Sequence, residues 1–154
     1  MGAMLSTQSA SRALMLLLRV IGGSSLLALI FVAAPESWMA AIHAELDMGP
    51  FPAAPVVGYL ARSTSAFYAI AGGLFWVVAT DLDRHRLVLL YLGWAMTLFG
   101  VVLLVVDVFE GMPLSWTLWE GPFVVLFGGT MLWLTRQLDR PGGDELMRLS
   151  KPGE

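Results

Sequence analysis

The sequence predicts an all-α integral membrane protein built as a four-helix bundle. Three observations carry that expectation. The chain is apolar throughout: 57% of its 154 residues are hydrophobic, 14% are charged, and mean hydropathy is +0.73. A soluble domain carries about 25% charged residues to face water, so lipid is the simplest solvent here. Second, four apolar runs reach the roughly 20 residues that a helix needs to cross a hydrocarbon core about 30 Å thick. Third, Lys and Arg fall almost wholly on one side of the topology those runs define.

The first span is expected over 13–34. It holds one charge, Arg19, and stops at Pro35. The long Arg19 stem can carry its guanidinium back to the headgroups, so it is read as an anchor. Val32-Ala33-Ala34 resembles a signal-peptidase site, but Pro35 would follow the cut directly, which favours an uncleaved helix. The second span covers 56–80 with Arg62 near its start. The third, 87–106, is free of charge, and the fourth, 116–134, has Glu120 in its first turns.

Orientation follows from the cations. Arg12, Arg19, Arg84, Arg86, Arg136, Arg140, Arg148 and Lys151 share the side of the two termini, and Arg62 alone lies on the other. The chain is therefore expected to be multi-pass in a bacterial inner (plasma) membrane, with both termini cytoplasmic. Residues 1–12 form the N-terminus, 13–138 the helical domain, and 139–154 a flexible cytoplasmic tail containing Pro141-Gly142-Gly143.

Connections are short except 35–55. There Pro35-Glu36-Ser37 is a reasonable helix start, and Trp38, Ile42 and Leu46 recur every four residues. A surface helix over 36–46, apolar side down, is the expectation. Small residues mark where helices approach closely: Ser65, Ala69 and Gly73 in the second span, Gly93 and Gly100 in the third, Gly22-Gly23-Ser24-Ser25 in the first. There is also an internal echo. Phe67-Tyr68-Ala69-Ile70-Ala71-Gly72-Gly73 aligns without a gap on Phe123-Val124-Val125-Leu126-Phe127-Gly128-Gly129, and Leu82-Asp83-Arg84 then falls on Leu138-Asp139-Arg140. Two duplicated helical hairpins and chance among apolar residues both account for this.

Several kinds of chemistry are excluded or disfavoured. Without cysteine there is no disulfide, thiolate metal site or thiol nucleophile. Nine Lys and Arg form no basic stripe, so no nucleic-acid partner is expected. No serine sits in a nucleophile elbow and no glycine-rich loop precedes a basic helix. Glu36, His43 and Asp47 have spacing that can reach a metal, but a solvated polar face is the favoured reading. Neither a metal, a cofactor nor an enzymatic activity is expected.

Arg62 is the residue to single out. A charge inside a span is costly and is usually paired or functional. Glu120 sits at comparable depth in the fourth span, and an Arg62–Glu120 pair would offset both desolvation costs. Asp107 and Glu110 lie in the connecting segment; Tyr59, Tyr68, Trp116 and Trp119 lie nearby. These eight form the candidate ligand or ion-pair site, although aromatics also crowd membrane interfaces as a rule. Pro122 suits the first turn of a helix. In a helix that begins near Trp116 it instead frees a carbonyl beside Glu120.

Three local features resemble small four-helix bacterial membrane proteins that are distantly DoxX-like: Tyr59-Leu60-Ala61-Arg62 leading to Phe67-Tyr68 and Gly72-Gly73; the turn Asp83-Arg84-His85-Arg86; and Asp107 followed by Gly111-Met112-Pro113 and Glu120-Gly121-Pro122. The resemblance covers roughly 13–138. It implies a four-helix bundle and an accessory role beside quinone-coupled redox complexes, with any electron chemistry belonging to a partner. The leading functional expectation is thus a non-catalytic accessory subunit or scaffold, with membrane lipids and another membrane protein or a second copy as partners. The alternatives are a lipid- or quinone-binding protein using the Arg62 and Glu120 region, and an oligomeric transporter or channel.

Overall fold

The computed structural model describes residues 6–138, which are all-helical apart from turns. The expected tail over 139–154 and residues 1–5 lie outside the described residues. Six helical segments follow one another: α1 (Thr7–Leu26), α2 (Leu29–Ala33), α3 (Glu36–Glu45), α4 (Pro55–Val78), α5 (Arg86–Glu110) and α6 (Leu114–Leu138).

Helix α1 begins ahead of the expected residue 13 because Ser6 caps it. The Ser6 Oγ accepts the Ser9 amide at 3.2 Å, satisfying one of the donors a helix start leaves open. Residues 7–12, expected to precede the span, are thus helical and continuous with it. The break between α1 and α2 falls just after Gly22-Gly23-Ser24-Ser25. There the bonds tighten to three-residue spacing, with Leu27 N to Ser24 O at 3.2 Å and Ala28 N to Ser25 O at 3.1 Å. The Ser24 hydroxyl donates back to Ile21 O at 2.9 Å, a local bond that competes with the helical ladder and bends it. Helix α2 ends at Ala34, whose extended conformation is what the following Pro35 demands.

Helix α3 ends in a paired bond set, Asp47 N to Ala44 O and Met48 N to His43 O, both 3.1 Å. Asp47 takes the left-handed conformation (φ 56°) that this ending requires. Helix α5 ends the same way at Gly111 (φ 66°), with Met112 N to Asp107 O at 2.9 Å. This carries α5 beyond the expected residue 106. Pro55 occupies the first turn of α4, where its missing N–H is harmless. Helix α6 starts at Leu114, so Pro122 lies inside it. Of the two readings of Pro122, the structure has the second: the Leu118 carbonyl loses its usual amide partner.

Three segments are long and apolar enough to cross a membrane: Thr7–Ala33, Arg86–Glu110 and Leu114–Leu138. Helix α4 matches them in length, at 24 residues, but Arg62, Ser63, Thr64 and Ser65 in its first half lower its hydropathy. The second of the four expected spans is the one that falls outside this set.

The helices pack as two antiparallel pairs, α1 with α4 and α5 with α6, and α1 also packs on α6. Glycine sets each crossing. A Cβ on Gly72 would stand 2.6 Å from the Gly22 carbonyl oxygen, and one on Gly128 would stand 2.5 Å from the Thr97 amide nitrogen and 2.8 Å from Gly93 O. A Cβ on Gly100 would lie 2.8 Å from Gly121 O. Close backbone approach of this kind is how helices associate where lipid removes the hydrophobic drive. Gly93 and Gly100 thus take the role expected of them. In α4 the contact is made by Gly72, because Gly73 faces open space.

The side-chain core lies toward one end. Leu14 and Leu18 of α1, Phe75 and Val78 of α4, Leu89 of α5 and Met131 of α6 are buried together there. This is the end that carries the 79–85 turn, called here the closed end. Toward the opposite end, the buried positions on α4, α5 and α6 are Gly58, Ala69, Gly100, Asp107 and Gly121. These small residues hold each pair together and leave little bulk to fill the space between pairs.

Candidate functional site

That space is a cleft. Its deeper part, about 450 Å³, lies between α1 and α4 on one side and α5 and α6 on the other. Phe67 and Ala71 of α4, Phe99 of α5, and Phe123 and Val124 of α6 line it. Phe75 and Phe127 form the floor, edge to face, with ring centroids 5.4 Å apart and planes at 86°. Such a geometry is the preferred one for aromatic pairs. The outer part, about 580 Å³, is bounded by α3, α4 and α6, including Met39, Ile42, Phe51, Trp116 and Glu120. Thr64 and Tyr68 line both parts, so the cleft is continuous from the mouth to the phenylalanine floor.

The internal echo accounts for how the walls face each other. In its ungapped register Leu60 matches Trp116, Thr64 matches Glu120, Phe67 matches Phe123, Tyr68 matches Val124, and Ala71 matches Phe127. All ten line the cleft. The same register pairs Gly72 with Gly128, each buried at its own pair's crossing, and Gly73 with Gly129, each open. Phe75 and Met131, and Val78 and Leu134, are likewise buried on both helices. The two helices present equivalent faces to the cleft and equivalent faces to their partners. The Asp139 and Arg140 end of the echo lies outside the described residues.

Glu120 is the acid of the site. One turn back on the same helix face, the Trp116 indole N–H donates to its Oε2 at 2.7 Å. Its Oε1 has no partner among the described residues. The Glu120 carboxyl is close enough to interact electrostatically with the Tyr68 phenol across the cleft and with Asp107 on α5. Asp107 itself is 4% exposed, and its Oδ2 is unpartnered among the described residues.

Arg62 does not pair with Glu120. Its Nη1 donates to Ala34 O at 2.9 Å and to Val32 O at 3.1 Å. These are carbonyls at the C-terminal end of α2 that no helical amide satisfies. A cation is well suited to that position, where helix dipoles leave partial negative charge. The expected cluster therefore divides. Glu120, Tyr68 and Trp116 come together in the cleft, with Asp107 buried behind them. Arg62 faces α2, and Glu110 is exposed at the last residue of α5. Tyr59 and Trp119 are 68% and 75% exposed, as expected of an aromatic belt; Trp119 also edges a shallow surface hollow beside Trp116.

Thr64, which the sequence reading passed over, and His43, which it weighed only as a metal ligand, complete the site. Thr64 faces the cleft with a hydroxyl that has no partner among the described residues. His43 lines the mouth, its Nδ1 3.0 Å from Gly49 O and its ring edge to face with Phe51 at 5.6 Å. In α3 the residue buried within the chain is Met39, and Trp38, Ile42 and Leu46 form an exposed apolar stripe. No group of three His, Asp or Glu able to hold a metal occurs among the described residues. Asp47 has left the helix by then, and the His43 ring is engaged by Gly49.

No protein-family model, curated protein or solved structure matches this chain.

Proposed function

We propose that this chain is a non-catalytic membrane protein that binds an amphiphile, a lipid- or quinone-like molecule, in the cleft between its two helix pairs. The observation that carries the reading is the continuous apolar cleft ending on Phe75 and Phe127, with Glu120, Tyr68 and Thr64 clustered partway along it. An apolar cavity with a few convergent polar groups is the usual form of a small-molecule site. An accessory or scaffold role needs only packed outer faces. A cleft lined by matching positions of two helices favours binding over it.

In this reading α4 is the fourth span. Its polar residues are provided for: Arg62 caps α2, the Ser63 and Ser65 hydroxyls donate to Leu60 O and Ala61 O, and Thr64 faces the cleft. The chain then threads a bacterial inner membrane four times with both termini in the cytoplasm, and the cleft opens toward the outer leaflet. Cysteines introduced at Met48 and Pro113 are expected to react with an impermeant maleimide in intact cells. Labelling only after lysis overturns the orientation.

The binding reading is tested by native mass spectrometry of protein extracted in mild detergent from its own membrane. A retained small molecule of defined mass is expected, and it is lost from Ala71→Phe, which fills the deep part of the cleft. A bare wild-type chain overturns the reading.

A further inference from the structure

We propose that the cleft selects a cationic amphiphile, one with an ammonium headgroup on a single apolar chain. This rests on the binding reading above and adds the charge of the ligand to it. Three features in and beside the cleft bear on that charge. The first is Glu120, held by Trp116 through Oε2 while Oε1 is left without a partner. A carboxylate in an apolar setting is unstable unless a cation or donors complete it. The second is Asp107 of α5, which lines neither part of the cleft but is buried near Glu120, its Oδ2 without a partner among the described residues.

The third feature is what the walls lack. No Lys or Arg lines either part of the cleft among the described residues. Arg62, the one Lys or Arg on this side among the described residues, is engaged by Val32 and Ala34. The one basic ring at the mouth, His43, is held at Gly49 O. An anionic headgroup such as a phosphate or carboxylate would meet an acid and no counter-charge. An ammonium would meet Glu120 and the aromatic side chains of Trp116, Tyr68 and Phe123. Aromatic faces attract cations, most strongly where water is excluded. Below the headgroup, Phe67, Phe99, Val124 and the Phe75–Phe127 floor offer only apolar surface to the chain.

The test uses the full-length protein in nanodiscs of uncharged lipid, with three probes of equal chain length: dodecyltrimethylammonium, dodecanol and dodecyl sulfate. Bound mass is read by native mass spectrometry across a titration. The ammonium is expected to bind about tenfold tighter than either of the others, the scale for a buried charge meeting its partner. Glu120→Gln is expected to abolish that preference, with its thermal unfolding midpoint, compared with that of the wild type, reporting that the variant is folded. Glu120→Asp keeps the charge and is expected to keep the preference. Equal binding of the ammonium and dodecanol, or a preference that survives Glu120→Gln, overturns the charge assignment and leaves the cleft reading standing. Tighter binding of the sulfate overturns it in the same way. Failure of all three probes to bind overturns both.

Discussion

The Arg62 guanidinium and the Ala34 carbonyl oxygen lie 2.9 Å apart, and this bond ties the first half of α4 to the last residue of the first helical arm. The same Nη1 reaches Val32 O, so one cation satisfies two carbonyls at a helix end that Pro35 prevents from continuing. Removing it leaves both without that donor. Hydrogen bonds to a charged group contribute about 1.5–3 kcal/mol, and Arg62 is half-buried, so the lower part of that range applies. Arg62→Gln is expected to lower stability by about 1–2 kcal/mol in a detergent unfolding titration and to leave ligand retention unchanged. Loss of ligand with stability intact would put Arg62 in the site instead.

The two glycine pairs of the echo should respond differently within each pair. Ala at Gly72 or Gly128 forces a Cβ against backbone atoms of the neighbouring helix. Backbone cannot yield as a side chain can, and overpacking costs about 1–3 kcal/mol. Ala at Gly73 or Gly129 meets nothing within 4 Å, so stability should stay level or rise slightly through better helix propensity. Thermal unfolding of the four single variants checks this. Equal effects at Gly72 and Gly73 would mean that α1 and α4 do not cross there.

Much of this fold was legible in the sequence because it is local. Apolar run length located the helices, Pro35 marked where the first stops, and Gly93 and Gly100 marked a crossing. The echo acquires a meaning only with the structure, where its matching positions on α4 and α6 line the cleft. What sequence did not carry was the partner of Arg62. Depth in the membrane suggested Glu120, but a guanidinium can equally be satisfied by main-chain carbonyls, which have no residue identity to read. On α3, periodicity found the most apolar stripe, Trp38, Ile42 and Leu46, which is exposed, while Met39, off that stripe, is the residue buried against the rest of the chain.

Asp107 poses a separate question of energetics. A carboxyl oxygen buried without a partner lacks the compensation that burial demands. With no ligand present, Asp107→Asn removes a charge from this place at almost no change in volume, and is expected to raise stability by about 1 kcal/mol. Asp107→Leu adds bulk beside the first turn of α6 and is not equivalent. Unfolding titrations of ligand-free wild type and Asp107→Asn decide the matter. Destabilisation in Asp107→Asn would mean that the carboxyl already has a stabilising partner within the folded chain.

The floor of the cleft joins the two helix pairs, and its strength can be measured. Phe75 and Phe127 are 3% and 6% exposed, and each reaches across from its own pair to meet the other ring. Truncating either to Ala leaves a cavity and is expected to cost about 3–5 kcal/mol. The ring pair itself contributes about 0.5–1.5 kcal/mol beyond buried area, and a double-mutant cycle isolates that share. The cycle should therefore give a coupling of that size, with the double variant less destabilised than the sum of the singles. The α5–α6 pair, joined by Gly93, Gly100, Gly121 and Gly128, should hold together in both single variants. Protease sites placed in the 79–85 turn and in the 111–113 turn would report this: cutting is expected to accelerate at the first, which links the pairs, and to stay slow at the second. Equal acceleration at both would mean that the molecule unfolds as one unit and that the ring contact is not a joint between two halves.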